Sequence, residues 1–162
     1  MITKMPIRLL SLSILDLRHR HSFWDVGFCT GSVSIEAKLQ FPHLNITAFE
    51  VREEGRELME ANSKKFGTPG ITTVIGDFLN TDISGYERPD AVFIGGHGGK
   101  LKEMIRKLHE VLKDDGVIVF NSVSEESRQM FIEEMENVGM KIVNETRIAI
   151  DDHNPIYILK AQ

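Results

Sequence analysis

Short apolar runs alternate with amphipathic segments along most of the chain. The runs are rich in Val, Ile, Phe and Thr, a composition typical of buried strands. The runs predicted as strands are 23–26, 45–50, 71–75, 91–94, 117–120, 140–150 and 156–160. Between them, apolar residues recur every three to four positions, as on one face of a helix. The segments predicted as helices are 33–39, 53–66, 100–112 and 125–138.

The N-terminal segment 1–20 is predicted to form a further helix. Thr3 is a candidate N-cap, and Pro6 is tolerated in a first helical turn. Apolar residues at positions 7, 10, 14 and 15 fall on one face of this helix. The segment should therefore pack one side on the rest of the protein.

The alternation of strands and helices predicts an α/β fold with a mostly parallel sheet and helices on both faces. We count five strand–helix units before the last two strands. The polar loop 151–154 between those strands is too short for a crossover and predicts an antiparallel hairpin. This layout is typical of the Rossmann-like, class I S-adenosylmethionine (SAM) dependent methyltransferases. A single domain over residues 1–162 is expected.

Composition narrows the possible partners and location. The 162 residues carry a formal net charge of −5, which disfavours duplex nucleic acid as a partner. Cys29 is the single cysteine, so an internal disulfide is excluded and a reducing cytoplasm is expected. No apolar run approaches the roughly 18 residues that a membrane span needs. The first 15 residues do not have the pattern of a signal peptide.

A small-residue loop after the first strand carries the most informative pattern, Asp25-Val26-Gly27-Phe28-Cys29-Thr30-Gly31-Ser32. Gly27 and Gly31 allow a ligand to approach the backbone closely. Thr30 and Ser32 could cap the next helix or bind the ligand. Asp25 is expected beside a cationic group such as the amino group of SAM. A carboxylate here does not suit a pyrophosphate, and the spacing is not G-x-G-x-x-G.

Two more acids end the second and third strands. Glu50, followed by Val51, lies near the offset expected for a carboxylate that accepts ribose hydroxyls. Asp77, between Gly76 and Phe78, could accept from an adenine amino group while Phe78 packs on the ring. Each feature alone could be an ordinary turn or a solvated strand end. Together they predict SAM binding, because ligands bind at the carboxyl edge of open α/β sheets.

Several segments resemble the CbiT family of decarboxylating precorrin methyltransferases, found alone or as the C-terminal half of the fused protein CobL. The resemblance covers nearly the whole chain. Its most specific parts are the Thr3-Lys4 start and the segment after the fourth strand, Asp90-Ala91-Val92-Phe93-Ile94-Gly95-Gly96-His97-Gly98-Gly99. Trp24-Asp25-Val26-Gly27, the segment 31–37 and Val119-Phe120-Asn121-Ser122-Val123 add to it.

The resemblance implies a role in cobalamin biosynthesis. A tetrapyrrole, precorrin-6B or its cobalt form, is methylated at carbon-15, and the ring C acetate loses carbon dioxide. Family members are typically homo-oligomers, often tetramers, with a CbiE activity as a separate partner or fused domain. Gly95 is assigned to the SAM site.

The substrate carries many carboxylates, so basic groups and backbone N–H groups should surround it. The residues expected to contact substrate are Thr3, Lys4, Arg8, Gly96, Gly98 and Asn121. Lys4 and Arg8 lie one helical turn apart, although a solvated helix face explains them equally well. His97 and Asn121 are the candidates for catalysis. His97 could act as a proton shuttle, and Asn121 could instead have a capping role.

Other features are given structural roles or left open. Cys29 is interpreted as a packed small side chain rather than a nucleophile. The remaining histidines lack metal-ligand spacing, so no metal site is predicted. Two alternatives remain, a transfer RNA methyltransferase and a catalytically silent SAM-binding module. Binding to bulk transfer RNA would indicate the first, and absence of turnover on any tetrapyrrole the second.

Overall fold

A computed structural model describes residues 3–151 and 153–162 and contains a seven-stranded sheet. The strands are β1 (Ser22–Val26), β2 (Asn45–Glu50), β3 (Ile71–Ile75), β4 (Ala91–Ile94), β5 (Val117–Ser122), β6 (Ile142–Ile148) and β7 (Ile156–Ala161). Their order is β3-β2-β1-β4-β5-β7-β6. The first five are parallel, whereas β7 is antiparallel to both β5 and β6. The predicted α/β fold with a terminal antiparallel hairpin is confirmed.

The helices are α1 (Met5–Leu15), α2 (Ser32–Gln40), α3 (Glu54–Phe66), α4 (Leu101–Val111) and α5 (Glu125–Asn137), with a 3₁₀ turn at Leu17–His19. The prediction that Thr3 caps α1 is wrong, because the helix begins at Met5 with Lys4 in the capping position. Pro6 then occupies the first turn, where its missing N–H has no intrahelical acceptor to lose. Among the described helices, none has the length and apolar character needed to cross a bilayer.

The expected count of five strand–helix units is also wrong. Residues 76–90, all of them described, join β3 to β4 through turns and contain no helix. The segment is rich in Gly, Asp, Asn and Pro, which favour turns, and its apolar residues do not follow a helical period. This connection forms one wall of the cavity described below.

The two faces of the sheet carry separate apolar cores, because successive strand residues point to opposite sides. One core joins Trp24, Val26, Val92, Ile94, Ile118 and Phe120 to α4 and α5. The other joins Phe23, Ala91, Phe93, Val117 and Val119 to α1 and α2. Every residue of β1 and β4 is buried, as expected for central parallel strands covered on both faces.

The strand order reverses between β1 and β4. The chain runs from β1 outward to β3, returns to β4 beside β1, and then continues in the other direction. Loops that leave the carboxyl ends of β1 and β4 therefore diverge and leave a crevice. Such a switch point is where open α/β sheets bind ligands.

Asp90, directly before β4, holds the start of β1 in place. Its buried carboxylate, 5% exposed, accepts hydrogen bonds from the backbone N–H groups of His21 (2.8 Å) and Ser22 (3.1 Å). Asp90→Ala should lower the free energy of unfolding by about 2 kcal/mol, because one buried and one partly buried donor lose their acceptor. Urea denaturation measures this change. Asp115→Ala removes an 82% exposed carboxylate and should change stability by less than about 0.5 kcal/mol; equal effects of the two substitutions would contradict the assignment.

Candidate active site

Two glycine loops meet at the switch point. The N–H of Gly95, after β4, donates to the carbonyl of Val26 at the end of β1 (2.8 Å). Gly27 has φ +77°, and a Cβ there would lie 2.6 Å from the backbone N of Gly96. Only glycine fits at position 27, because a side chain would collide with backbone atoms and strain the dihedral angle.

Asp25 lies beneath the first loop rather than in a cavity wall. It is fully buried, and its Oδ2 accepts from the backbone N–H (3.1 Å) and the hydroxyl (2.6 Å) of Ser34. Ser34 is in the first turn of α2, so Asp25 binds a helix N–H group that lacks an intrahelical partner. Burial raises the pKa of Asp25 to about 7, against the opposing hydrogen bonds from Ser34. Its Oδ1 has no partner among the described residues, and the expected contact between Asp25 and a cationic ligand stays a prediction.

Glu50 ends β2 in the wall of the crevice. Its Oε2 accepts from the backbone N–H of Cys29 (2.8 Å). Its Oε1 accepts from the backbone N–H (3.1 Å) and Nε (3.0 Å) of Arg52. Burial opposes the charge, but the hydrogen bonds from Arg52 and Cys29 outweigh it and lower the pKa of Glu50. Glu50 is therefore a carboxylate at neutral pH.

Asp77 faces the same crevice from the end of β3. Its carboxylate accepts from the backbone N–H of Leu79 (3.1 Å) and from Lys100 Nζ (2.9 Å). The Lys100 ammonium is the main cause that lowers the pKa of Asp77. The neighbouring loop is held by Lys107, whose Nζ donates to three backbone carbonyls and lies 5.2 Å from the centre of the Phe78 ring.

These groups enclose a cavity of about 440 Å³, within the range of roughly 300–1,000 Å³ typical of small-molecule sites. The predicted cofactor residues in its wall are Gly27, Glu50, Val51, Gly76, Asp77, Phe78 and Gly95. Thr30, Gly31 and Ser32 are not among the described wall residues. Instead, the Thr30 carbonyl accepts from Asn62, and Gly31 packs where a Cβ would meet Met59, so both hold the loop against α3.

A second cavity of about 320 Å³ adjoins the first across the Gly95–His97 segment, which lines both. It is bounded by the start of α1, the end of β5 and the start of β7. The predicted substrate residues in its wall are Thr3, Lys4, Gly96 and Asn121. The carboxyl edge of the sheet therefore holds two adjacent compartments that meet at one loop.

Two predicted substrate residues lie elsewhere. Gly98 lines the first cavity and not the second. Arg8 lines neither, because its guanidinium pairs with Glu36 on α2 (3.4 Å) and donates to the carbonyl of Thr3 (3.0 Å). Arg8 therefore anchors α1 to α2 and supports the segment before α1, and its contact with substrate stays a prediction.

His97 lies where the two cavities meet. Its Nδ1 accepts from the backbone N–H of Gly99 (3.2 Å), which leaves the proton of the neutral ring on Nε2. Burial lowers its pKa, so the ring is neutral at physiological pH. The ring also packs edge-on against Phe120, with centroids 5.9 Å apart. These contacts give His97 a defined tautomer beside both compartments.

Asn121 tethers β5 to α1 as well as lining the second cavity. Its Nδ2 donates to the hydroxyl of Ser11 (2.9 Å), which in turn donates to the carbonyl of Ile7 (2.8 Å). A hydroxyl has one proton to donate, so this arrangement satisfies both bonds. Asn121 thereby holds the helix that forms the cavity wall.

Sequence reasoning missed several cavity residues, among them Cys29, Arg52 and Lys100. Cys29 was expected to pack inside, but it is partly exposed and has φ +58°. The sequence did contain a pattern that could have identified Arg52 and Lys100. Each is a basic residue two positions after a residue already assigned to the site, Glu50 or Gly98. Their pairing with Glu50 and Asp77 depends on side-chain geometry that spacing does not give.

Comparison with known proteins identifies the family of the chain. Residues 1–161 match a family model described as a precorrin methyltransferase domain. The chain is 36% identical over 138 residues to a Salmonella typhimurium protein named cobalt-precorrin-6B C(15)-methyltransferase (decarboxylating), covering 85% of this chain and 70% of that protein. It is 34% identical over 155 residues to the Sinorhizobium precorrin-6Y C(5,15)-methyltransferase (decarboxylating), covering 96% of this chain and 36% of that protein.

A solved structure shows the same fold. The crystal structure of precorrin-6y C5,15-methyltransferase from Geobacter metallireducens superposes with a TM-score of 0.91 at 34% identity. The match covers 99% of this chain and 89% of that one. The resemblance drawn from the sequence motifs is confirmed.

The buried carboxyl of Asp25 gives a pH prediction. The folded protein holds this proton up to about pH 7, whereas the unfolded chain releases it near pH 4, so ionisation destabilises the fold as pH rises between these values. From about pH 5 to about pH 8 this effect is on the order of 2 kcal/mol. Asp25→Asn keeps an acceptor for Ser34 and should lack that loss. Urea denaturation of both proteins measures the difference, in which other titrating groups such as His97 cancel; parallel pH profiles would contradict the prediction.

Proposed function

This chain belongs to the precorrin methyltransferase family, and we propose that it methylates carbon-15 of precorrin-6B, or its cobalt form, with decarboxylation of the ring C acetate. The observation that carries the proposal is the meeting of two cavities at Gly95–His97. One cavity has the acids suited to a nucleoside cofactor. The other has a cation and backbone groups suited to an acidic macrocycle.

SAM fits the first cavity by the chemistry of its wall. Glu50 is ionised and positioned to accept from ribose hydroxyls, while Asp77 can accept from the adenine amino group. Gly27 keeps the cofactor loop in contact with the loop after β4, because a Cβ there would collide with the Gly96 backbone. When bound, SAM supplies an electrophilic methyl group on a positively charged sulfur.

The second cavity would hold the tetrapyrrole with its reacting carbon toward Gly95 and Gly96. Lys4 is exposed at this cavity and can pair with a substrate carboxylate. Backbone N–H groups of the glycine segment can bind another. Placing the reacting carbon in line with the methyl donor is the main contribution that such a site makes to rate.

Decarboxylation needs a proton source as well as correct placement. The bond from the acetate carbon to its carboxylate breaks, carbon dioxide leaves, and the electron pair enters the conjugated ring. The remaining carbon must then take up one proton to become a methyl group. His97 lines both cavities, and we propose that its Nε2–H hydrogen-bonds the reacting group while solvent supplies the proton.

The proposal also covers the oligomeric state, the cellular location and the partner of the enzyme. The family resemblance supports a homo-oligomer, a tetramer in particular, in the cytoplasm. The chain spans only 36% of the Sinorhizobium protein, whose name includes methylation at carbon-5 as well as carbon-15. A CbiE-type partner or fused domain is therefore proposed to supply the second methylation.

Glu50 gives a direct test of cofactor binding. Glu50→Gln removes the charged acceptor for ribose hydroxyls and should weaken S-adenosylhomocysteine binding roughly ten- to hundredfold. Isothermal titration calorimetry measures the dissociation constant. Glu53→Gln changes an 81% exposed side chain nearby and should leave binding unchanged. Unaltered affinity in the Glu50→Gln variant would place the nucleoside elsewhere.

Turnover tests the reaction itself. Purified protein incubated with SAM and precorrin-6B should yield a product that has gained one methyl group and lost carbon dioxide, as measured by mass spectrometry. The reaction should stop when SAM is omitted and slow in the Glu50→Gln variant. A substrate of unchanged mass would remove the assigned reaction, and with intact S-adenosylhomocysteine binding it would favour a silent SAM-binding module.

A further inference from the structure

An apolar cavity of about 430 Å³ lies beside the substrate cavity, at the carboxyl edge of the sheet. The turn between β6 and β7 forms its outer side. That turn lies at the carboxyl end of β5, because Ser122 pairs with Tyr157. The described residues in its wall are Lys4, Ile7, Val123, Ile148, Ile150, His153, Asn154, Pro155 and Ile156.

The apolar cavity is continuous with the substrate cavity. Lys4, Ile7, Val123 and Ile156 line both. Val123, directly after β5, is 53% exposed. Aliphatic side chains at the end of β6 and the start of β7 line the same opening. A concave apolar surface of this kind marks a binding site more often than it marks solvent-exposed surface.

The substrate cavity alone is too small for the macrocycle. Its volume of about 320 Å³ is at the lower end of the range of roughly 300–1,000 Å³ that drug-sized ligands occupy. A tetrapyrrole with four linked rings and several acidic side chains is larger than such ligands. Adding the apolar cavity more than doubles the room without any change in the fold.

Charge supports the same occupant. The chain as a whole is acidic, with 24 Asp and Glu against 19 Lys and Arg. Among the described residues, however, no Asp or Glu lines either of these two cavities. Lys4 is exposed at their shared boundary, where it can pair with a carboxylate on the ring periphery.

We propose that the apolar cavity is the second half of the substrate site and holds the tetrapyrrole rings distant from carbon-15. Ile148, Ile150 and Pro155 pack against the face of these rings, and Lys4 pairs with a carboxylate at the boundary between the two halves. This inference rests on the proposed function and extends it, since it assigns the β6–β7 turn to substrate recognition.

Two substitutions test the cavity with charge. Ile150→Asp places a carboxylate in the apolar wall, and Asn154→Glu places one at the exposed rim without disturbing the core. Both should repel an acidic tetrapyrrole. Val143→Asp and Asn144→Glu are the matched controls, because these exposed residues of β6 lie outside both cavities.

The first readout is binding of uroporphyrin I, a tetrapyrrole with carboxylates around its rim, to protein loaded with S-adenosylhomocysteine. Ile150→Asp and Asn154→Glu should raise its dissociation constant at least about tenfold, and the controls should stay within about twofold. The second readout is methyl transfer to precorrin-6B, in which KM should rise by a similar factor while kcat changes little. Affinity for S-adenosylhomocysteine should be unchanged throughout, which also shows that each variant is folded.

If Ile150→Asp does not fold, Asn154→Glu tests the proposed subsite alone, because Asn154 is exposed. An unchanged KM for precorrin-6B in a folded cavity variant would overturn the subsite while leaving the proposed function intact. Loss of an oligomer on gel filtration with unchanged KM would likewise overturn it, and would show that this face contacts a second copy. Absence of turnover by the unmodified protein would instead overturn the proposed function on which the subsite rests.

Discussion

The close approach of two backbone segments, at Gly27 and Gly96, is the constraint on which the site depends. β1 and β4 are adjacent strands, and the loops that leave them must separate at the switch point. The hydrogen bond from Gly95 to Val26 keeps these loops together at their base. A side chain at position 27 would force them apart. The loop after β4 thereby becomes a thin wall shared by two cavities, so ligands on either side can come within reacting distance.

Residues at the start of α1 form one wall of the second cavity. They can do so because α1 is held in place by contacts with the sheet and with α2. Ile7 is buried against the sheet, Ser11 bonds to Asn121 on β5, and Arg8 pairs with Glu36 on α2. These three contacts fix the helix from the sheet and from a neighbouring helix. Thr3 and Lys4 at its start are therefore held beside the glycine segment.

Much of this arrangement could be predicted from the sequence. Short apolar runs were enough to predict the strands, and the rule for parallel sheets placed Glu50 and Asp77 at the edge where the cavity lies. The contact of Asp25 with Ser34 was not predicted, because a position at a strand end does not say which face a residue occupies. Asp25 shares the face of Phe23, which α2 covers, and so it meets Ser34. The pairing of Arg8 was not predicted because its partner Glu36 lies 28 residues away, on another helix.

The three acids at the ends of β1, β2 and β3 differ in the exposure of their partners. Glu50 and Asp77 are paired with Arg52 and Lys100, side chains that are 50% and 53% exposed. Each of these cations therefore already contacts water and can move away from its acid without being desolvated. Asp25 is instead bonded to Ser34, which is fully buried and has no water to return to. Breaking that contact would leave a buried donor and acceptor without partners. The exposure of its partner, more than its place at a strand end, therefore distinguishes Asp25 from Glu50 and Asp77.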